Sequence, residues 1–448
     1  MQKFDVLVVG GSAGGLTAAI TARRHYPNAS IGLVRKENQV LIPCGIPYIF
    51  GTVGSPEKNL IPDQLLDQNQ LELTVDEVTS IYTEDRTLHT AGKRTIGYGR
   101  LILATGSEPI VPRIPGVELD NVFAVKKDVT YLGNMLQALG DASSVVVIGG
   151  GFIGLEFADE CRKRDVQVTV VEMLPLCLSL VFDPDLCKRV EEELARTGIQ
   201  VRTGARAKAF VGNGRVRAVQ LESGEEIPAD IVILGIGVRP NTRLACQAGL
   251  RIGEQGGVWV DRFMRTSACH VFAVGDCAEK VDAVTGKPTN LRLASIATAE
   301  ARVAGANLFQ LRRENTGTIG VFSTKIGNLA AGLAGYGEQR AWAEGIDYVV
   351  GEAEAVNRHP GGMPGAMALH VKLVFHKWTR QIIGGQACCS ESVGEFINTI
   401  ACMIQNGVTA DRIATYQVGT HPALTASPIA YPLFNAAEMA LKESSQVR

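Results

Sequence analysis

The chain has 448 residues, 44 basic against 46 acidic side chains, a formal net charge of −2 and 46% hydrophobic residues. That length exceeds one ordinary domain, and the charge balance leaves no basic footprint for nucleic acid or an anionic membrane. No apolar run reaches the length of a membrane span, and the ten cysteines lack the paired spacing of a zinc site, so neither a membrane span nor a metal centre is expected.

In chain order, Phe4–Val9 is an apolar run that leads into Gly10-Gly11-Ser12-Ala13-Gly14-Gly15 and a helix to about His25, and Ser30–Val34 is the next apolar run. No export signal precedes the first run, so a cytoplasmic protein with mostly reduced thiols is expected. Nine of the ten cysteines, Cys44 apart, read as small buried hydrophobes. Residues from about 105 to 140, with Pro109, Pro112, Pro115 and Gly116, read as a linker. Ser144–Ile148 then opens a second strand, glycine turn and helix to about Arg164, followed by Gln167–Val171. The chain therefore contains two βαβ units of the nucleotide-binding kind. From about Gly317 the texture changes to short β-like runs at Tyr348–Val350 and Ala368–Val374 and a helix near Ser392 to Asn406, a separate α+β domain.

The second turn is complete. Gly149, Gly151 and Gly154 fit GxGxxG, in which the first glycine makes the turn, the second admits a pyrophosphate and the third brings helix and strand together. Glu172 ends the following strand, where a carboxylate accepts from a ribose 2′-OH and repels a 2′-phosphate; this favours NADH. The first turn departs from the pattern, with Ser12 at the second glycine position and Arg35 at the acid position. Arg35 can reach an adenine-side phosphate or stack on the adenine, a solvated surface arginine being the alternative, and Glu37 offers another ribose acceptor. Two buried-type strands end in small-residue turns, at Ala104-Thr105-Gly106 and at Gly235-Ile236-Gly237, and Val271–Gly275 is followed by Asp276, an acid suited to the ribityl hydroxyls of FAD.

The order of these motifs resembles the two-dinucleotide-domain flavoprotein disulfide reductases over nearly the whole chain. The resemblance implies an α/β fold of two Rossmann-like domains, for FAD and NADH, plus a C-terminal α+β dimerisation domain. It places the FAD domain at 1–115 and 242–316, the NADH domain at 116–241 and the interface domain at 317–448. It implies a homodimer. FAD then falls to Gly10, Gly11, Ser12, Ala13, Gly14, Gly15, Arg35, Lys36, Pro43, Ala104, Thr105, Gly106 and Asp276. NADH falls to Gly149, Gly151, Phe152, Ile153, Gly154, Glu156, Glu172 and Gly237, with Ile153 and Glu156 near the nicotinamide.

The redox segment is Val40–Gly51, and after Cys44 no second cysteine follows where many relatives have CxxxxC. This resembles the single-cysteine branch: coenzyme A disulfide reductases, NADH-dependent persulfide or polysulfide reductases, and NADH oxidases and peroxidases. A thiolate at a helix N-terminus beside an oxidised flavin has a lowered pKa and can attack a sulfur substrate, one linked to coenzyme A included, or cycle through a sulfenic acid. A flavoprotein electron carrier or redox-sensing subunit is the reading from another class. Gly419-Thr420-His421-Pro422 is similar to the His-Pro string of the two-cysteine reductases, which makes His421 the expected acid–base group, with a packed interface histidine the alternative. His359–Ala366 lacks the tyrosines that mark coenzyme A disulfide reductases, so that substrate is the least supported.

Overall fold

The computed structural model describes residues 1–390 and 392–445. The described residues divide into two compact units: residues 1–113, 120–142 and 236–318 form one, and residues 114–119, 143–235, 319–390 and 392–445 form the other.

In the first unit the strand Gln2–Val9 lies between Ile31–Arg35 and Thr95–Leu103, parallel to both. Glu72–Val75 extends one side, and Val271–Ala273 runs parallel to Thr95–Leu103. The late return of residues 271–273 to this sheet is what closes the unit. Parallel strands covered on both faces read as unbroken apolar runs, and Val6, Leu7, Val8 and Val9 are all buried. The helix Ala13–His25 packs on Ala294–Asn307 through small residues: a Cβ on Gly305 would stand 2.7 Å from the Ala18 carbonyl oxygen.

Residues 120–142, which the motif order assigns to the second nucleotide domain, pack with the first unit. The expected linker is also partly helical. Asp128 caps a helix over Val129–Gly140, its side chain accepting from the Tyr131 N–H, and Leu132, Met135 and Leu139 are buried at helical spacing. The prolines, all before residue 116, obscure that period in the sequence.

In the second unit Ser144–Ile148 runs parallel to Gln167–Val171 and Ile231–Leu234. A five-stranded antiparallel sheet follows, ordered Val321–Ile326, Leu329–Gly335, Ile382–Cys389, Ala368–His376, Tyr348–Val356. The helix Val393–Gln405 covers it with Val393, Ile397, Ile400 and Ile404. No helix among the described residues is long and apolar enough to cross a membrane.

Candidate functional site

The two glycine turns have nearly the same backbone. Gly10 and Gly149 have φ of 111° and 106°, the left-handed side that favours glycine. A Cβ on Gly15 would lie 1.9 Å from the Gly10 oxygen, and one on Gly154 would lie 2.0 Å from the Gly149 oxygen. These glycines therefore let each helix sit directly on its strand. Ser12 and Gly151 stand at the same place with φ of −85° and −83°, a region open to any residue. The serine is thus no fault in the first turn. At Gly151 a Cβ would meet nothing within 4 Å, so no protein atom demands a glycine there. Neither helix has a side-chain cap or an acid in its first turn.

Around the first turn the structure gathers most of the residues expected to hold FAD. A Cβ on Gly10 would stand 2.1 Å from the Ala104 oxygen, and Gly14 faces Val274 and Ala297. Thr105 Oγ1 donates to the Asn241 oxygen at 2.6 Å. Gly106 has φ 70°, and a Cβ there would meet no described protein atom within 4 Å. Asp276 sits in a single turn, Gly275–Cys277; Ser107 Oγ donates to it at 2.7 Å and Lys127 Nζ is 3.8 Å away. Open backbone at Ser12 and Gly106, together with an acid on a small-residue turn, forms a cradle that fits a dinucleotide.

Arg35 departs from the phosphate role and from the solvated alternative. It is 4% exposed, and its guanidinium donates twice to Asp63 at 2.7 Å and to the Glu37 and Asn38 carbonyls. Four of about five donor positions are thereby engaged, so it is neither a solvated arginine nor a ready phosphate clamp. Its Cδ lies 2.6 Å from where a Gly11 Cβ would be, so Arg35 braces the underside of the turn. Lys36 is exposed. Arg23, in the helix after the first turn, donates to the carbonyls of Pro27, Ala29, Asn69 and Gln70 and is a strut.

Cys44 is exposed, in a 3-10 turn over Pro43–Gly45. The expectation of a helix N-terminus is corrected here. A second 3-10 turn, Pro47–Phe50, follows instead of an α-helix. The turn is held from outside. Ile42 N–H donates to the Asn59 oxygen at 2.9 Å, and Asn59 Nδ2 donates back to the Ile42 oxygen at 3.0 Å. Asn59 Oδ1 lies 2.0 Å from the place of a Gly45 Cβ, so residue 45 must be glycine while Asn59 is there. Asn59 and Asp63 give no sequence signal, since polar residues in a loop read as solvated. Of the other nine cysteines, Cys246, Cys269 and Cys402 are exposed, against expectation, and six are buried. All ten are thiols, Cys388 and Cys389 included.

In the second unit Glu172 is buried, its Oε2 accepting from the Gly150 N–H at 2.6 Å and its Oε1 from the Leu174 N–H at 2.7 Å. The carboxylate is fixed at the end of its strand with one lone pair on each oxygen still to offer. Phe152 stacks on Phe322 at 5.2 Å and meets Phe182 edge-on, while Ile153 is 38% exposed. Glu156 accepts from Thr324 Oγ1 at 3.2 Å, and burial, reinforced by Glu160, pushes its carboxyl up to about 7 against that hydrogen bond. Gly237, expected with this group, belongs to the first unit, where its oxygen accepts from Ile110 N–H. His421 is exposed; its Nδ1 accepts from the Ala423 N–H at 3.2 Å, which leaves the neutral ring's proton on Nε2. A cavity of about 300 Å³ in this unit is bounded by Arg189, His370, Lys372 and Cys388, and no expected site residue lines it.

Two glycine turns on parallel strands, with an acid-bearing turn beside the first, define a flavoprotein that also takes a nicotinamide nucleotide. Residues 4–301 match the pyridine nucleotide-disulphide oxidoreductase model and residues 321–429 match the dimerisation domain of the same family. The chain belongs to the pyridine nucleotide-disulphide oxidoreductase family, and it is an enzyme that uses FAD and NAD(P)H. It is 32% identical to an NADH oxidase of Methanocaldococcus jannaschii, covering 98% of this chain and 99% of that protein. It is 31% identical to a CoA-dependent NAD(P)H sulfur oxidoreductase of Pyrococcus furiosus, covering 91% and 93%. An NAD-dependent persulfide reductase from A. fulgidus superposes with a TM-score of 0.92 at 31% identity, over 99% of this chain and 84% of that one.

Proposed function

We propose that the protein is an NADH-dependent reductase of a sulfur substrate, a persulfide, polysulfide or coenzyme A disulfide, with Cys44 as nucleophile. One observation carries this reading: Cys44 is exposed on a turn that Asn59 fixes, and the nearest cysteine in sequence is Cys161. The second sulfur therefore comes from the substrate. The Cys44 thiolate attacks one sulfur, the S–S bond breaks, and the departing thiolate takes a proton. FAD, when bound, supplies the electron pair received from NADH that returns Cys44 to its thiolate and frees the held sulfur.

The other residues take these roles in the same reading. Gly10 to Gly15, Pro43, Ala104, Thr105, Gly106 and Asp276 cradle the flavin nucleotide, and Gly149 to Gly154 with Glu172 hold NADH. The fixed Glu172 carboxylate supports NADH over NADPH, since it would face a 2′-phosphate as a like charge. Phe152 belongs to the same NADH site, and Ile153 and Glu156 take its nicotinamide side. His421, with its proton on Nε2, is the donor to the departing sulfur across a homodimer.

Anaerobic NADH oxidation driven by polysulfide tests the proposal. Cys44→Ser should lose that activity by roughly a hundredfold or more while NADH still bleaches the flavin. Full sulfur reduction by Cys44→Ser would sink it. The runner-up, oxygen or peroxide reduction through a Cys44 sulfenic acid, is favoured by the likeness to the M. jannaschii NADH oxidase. It predicts NADH turnover only when oxygen or peroxide is present.

A further inference from the structure

A buried ion pair lies directly beneath the Asp276 turn. Lys280 and Glu300 each have 2% side-chain exposure, and Nζ stands 3.0 Å from Oε2. Both groups grip the backbone of that turn. Glu300 Oε2 accepts from the Gly275 N–H at 2.8 Å. Lys280 Nζ donates to the Gly275 oxygen at 2.5 Å and to the Ala278 oxygen at 2.9 Å. All three ammonium protons are thus committed. Gly275 has φ 74°, so the turn has a conformation that L side chains rarely adopt, and a Cβ there would meet Ala297 at 3.3 Å.

As a source of stability this pair is poorly built. Glu300 Oε1 has no hydrogen-bond partner among the described residues, although it is buried. An uncompensated buried oxygen is unfavourable, and buried ion pairs are often replaceable by apolar groups without loss. What an apolar pair cannot do is hold both the N–H and the C=O of one peptide residue in place.

We infer that Lys280 and Glu300 are positioning residues for FAD, which preset the turn over residues 275–278 so that Asp276 meets the flavin nucleotide without reordering. This rests on the reading that Asp276 holds FAD. Preorganised contacts gain affinity because less ordering is left for binding to bring about.

The test strips FAD from the purified enzyme and titrates it back by flavin fluorescence, alongside urea unfolding and the flavin midpoint potential. Lys280→Met and Glu300→Leu, each of which removes its side chain's hydrogen bonds to the turn, should each weaken FAD binding by roughly tenfold or more. The double variant Lys280→Met with Glu300→Leu should recover the urea midpoint while FAD affinity stays low and the potential stays shifted. Recovery of FAD affinity together with stability in the double variant overturns the inference. So does parent-like affinity in either single variant. Asp276→Ala serves as reference. If it binds FAD as tightly as the parent, the assignment of this turn to FAD fails. If it binds weakly while the double variant binds normally, only the role of the pair fails.

Discussion

Glu156→Gln should raise stability at high pH and leave it nearly unchanged at low pH. Burial raises the Glu156 carboxyl from 4.5 to about 7, so the folded protein prefers the neutral acid. A shift of that size corresponds to about 3 kcal/mol, at about 1.4 kcal/mol per unit. The sign follows from proton binding. Between pH 4.5 and about 7 the folded state holds a proton that the unfolded chain has released, so the contribution of Glu156 to stability falls as pH climbs through that window. Glutamine keeps an oxygen to accept from Thr324 and never ionises. The variant should therefore match the parent near pH 4 and exceed it by about 3 kcal/mol near pH 8. Urea unfolding followed by far-UV circular dichroism at the two pH values measures the difference. Parallel loss of stability by parent and variant from pH 4 to 8 would refute a neutral Glu156.

Gly15→Ala should yield protein largely free of flavin, because its Cβ would lie 1.9 Å from the Gly10 oxygen and push the helix off the turn. The ratio of flavin to protein absorbance in the purified variant reads this directly, and a parent-like ratio would contradict it. Lys372→Met should destabilise by about 1–3 kcal/mol, since the lysine lies within 4 Å of Asp183, Asp185, Glu338 and Glu352 and its loss leaves these acids facing one another, although only Asp183 is buried and it keeps the Gln386 amide and two backbone N–H groups. Burial alone would lower the Lys372 ammonium, but these carboxylates outweigh it and hold it above its ordinary range. Urea unfolding of the Lys372→Met variant at two salt concentrations checks this, and added salt should recover part of the loss.

Glycines at a fixed spacing after an apolar run are legible because a tight strand-to-helix turn leaves so few alternatives. Gly10, Gly15, Gly149 and Gly154 each stand where a Cβ would be strained or would collide with backbone, so residue type and position imply each other. Arg35 misleads in sequence because its position in the motif suggests a ligand contact, whereas its partner Asp63 lies 28 residues along the chain. The helix over Val129–Gly140 is hidden behind a proline-rich stretch that ends before it starts.

The sequence by itself determined the family and the two glycine turns, and it showed Cys44 without a second cysteine nearby in the chain, because each is a local pattern readable from residue type and spacing. Tertiary structure decided what holds those patterns in place. Asn59 locks the Cys44 turn, Asp63 claims Arg35, and Lys280 with Glu300 grips the Asp276 turn. These are polar and charged side chains whose partners lie far along the chain or on another element, and their meaning comes from burial and hydrogen bonding. Neither has a period or spacing in the sequence, so only the folded chain reveals them.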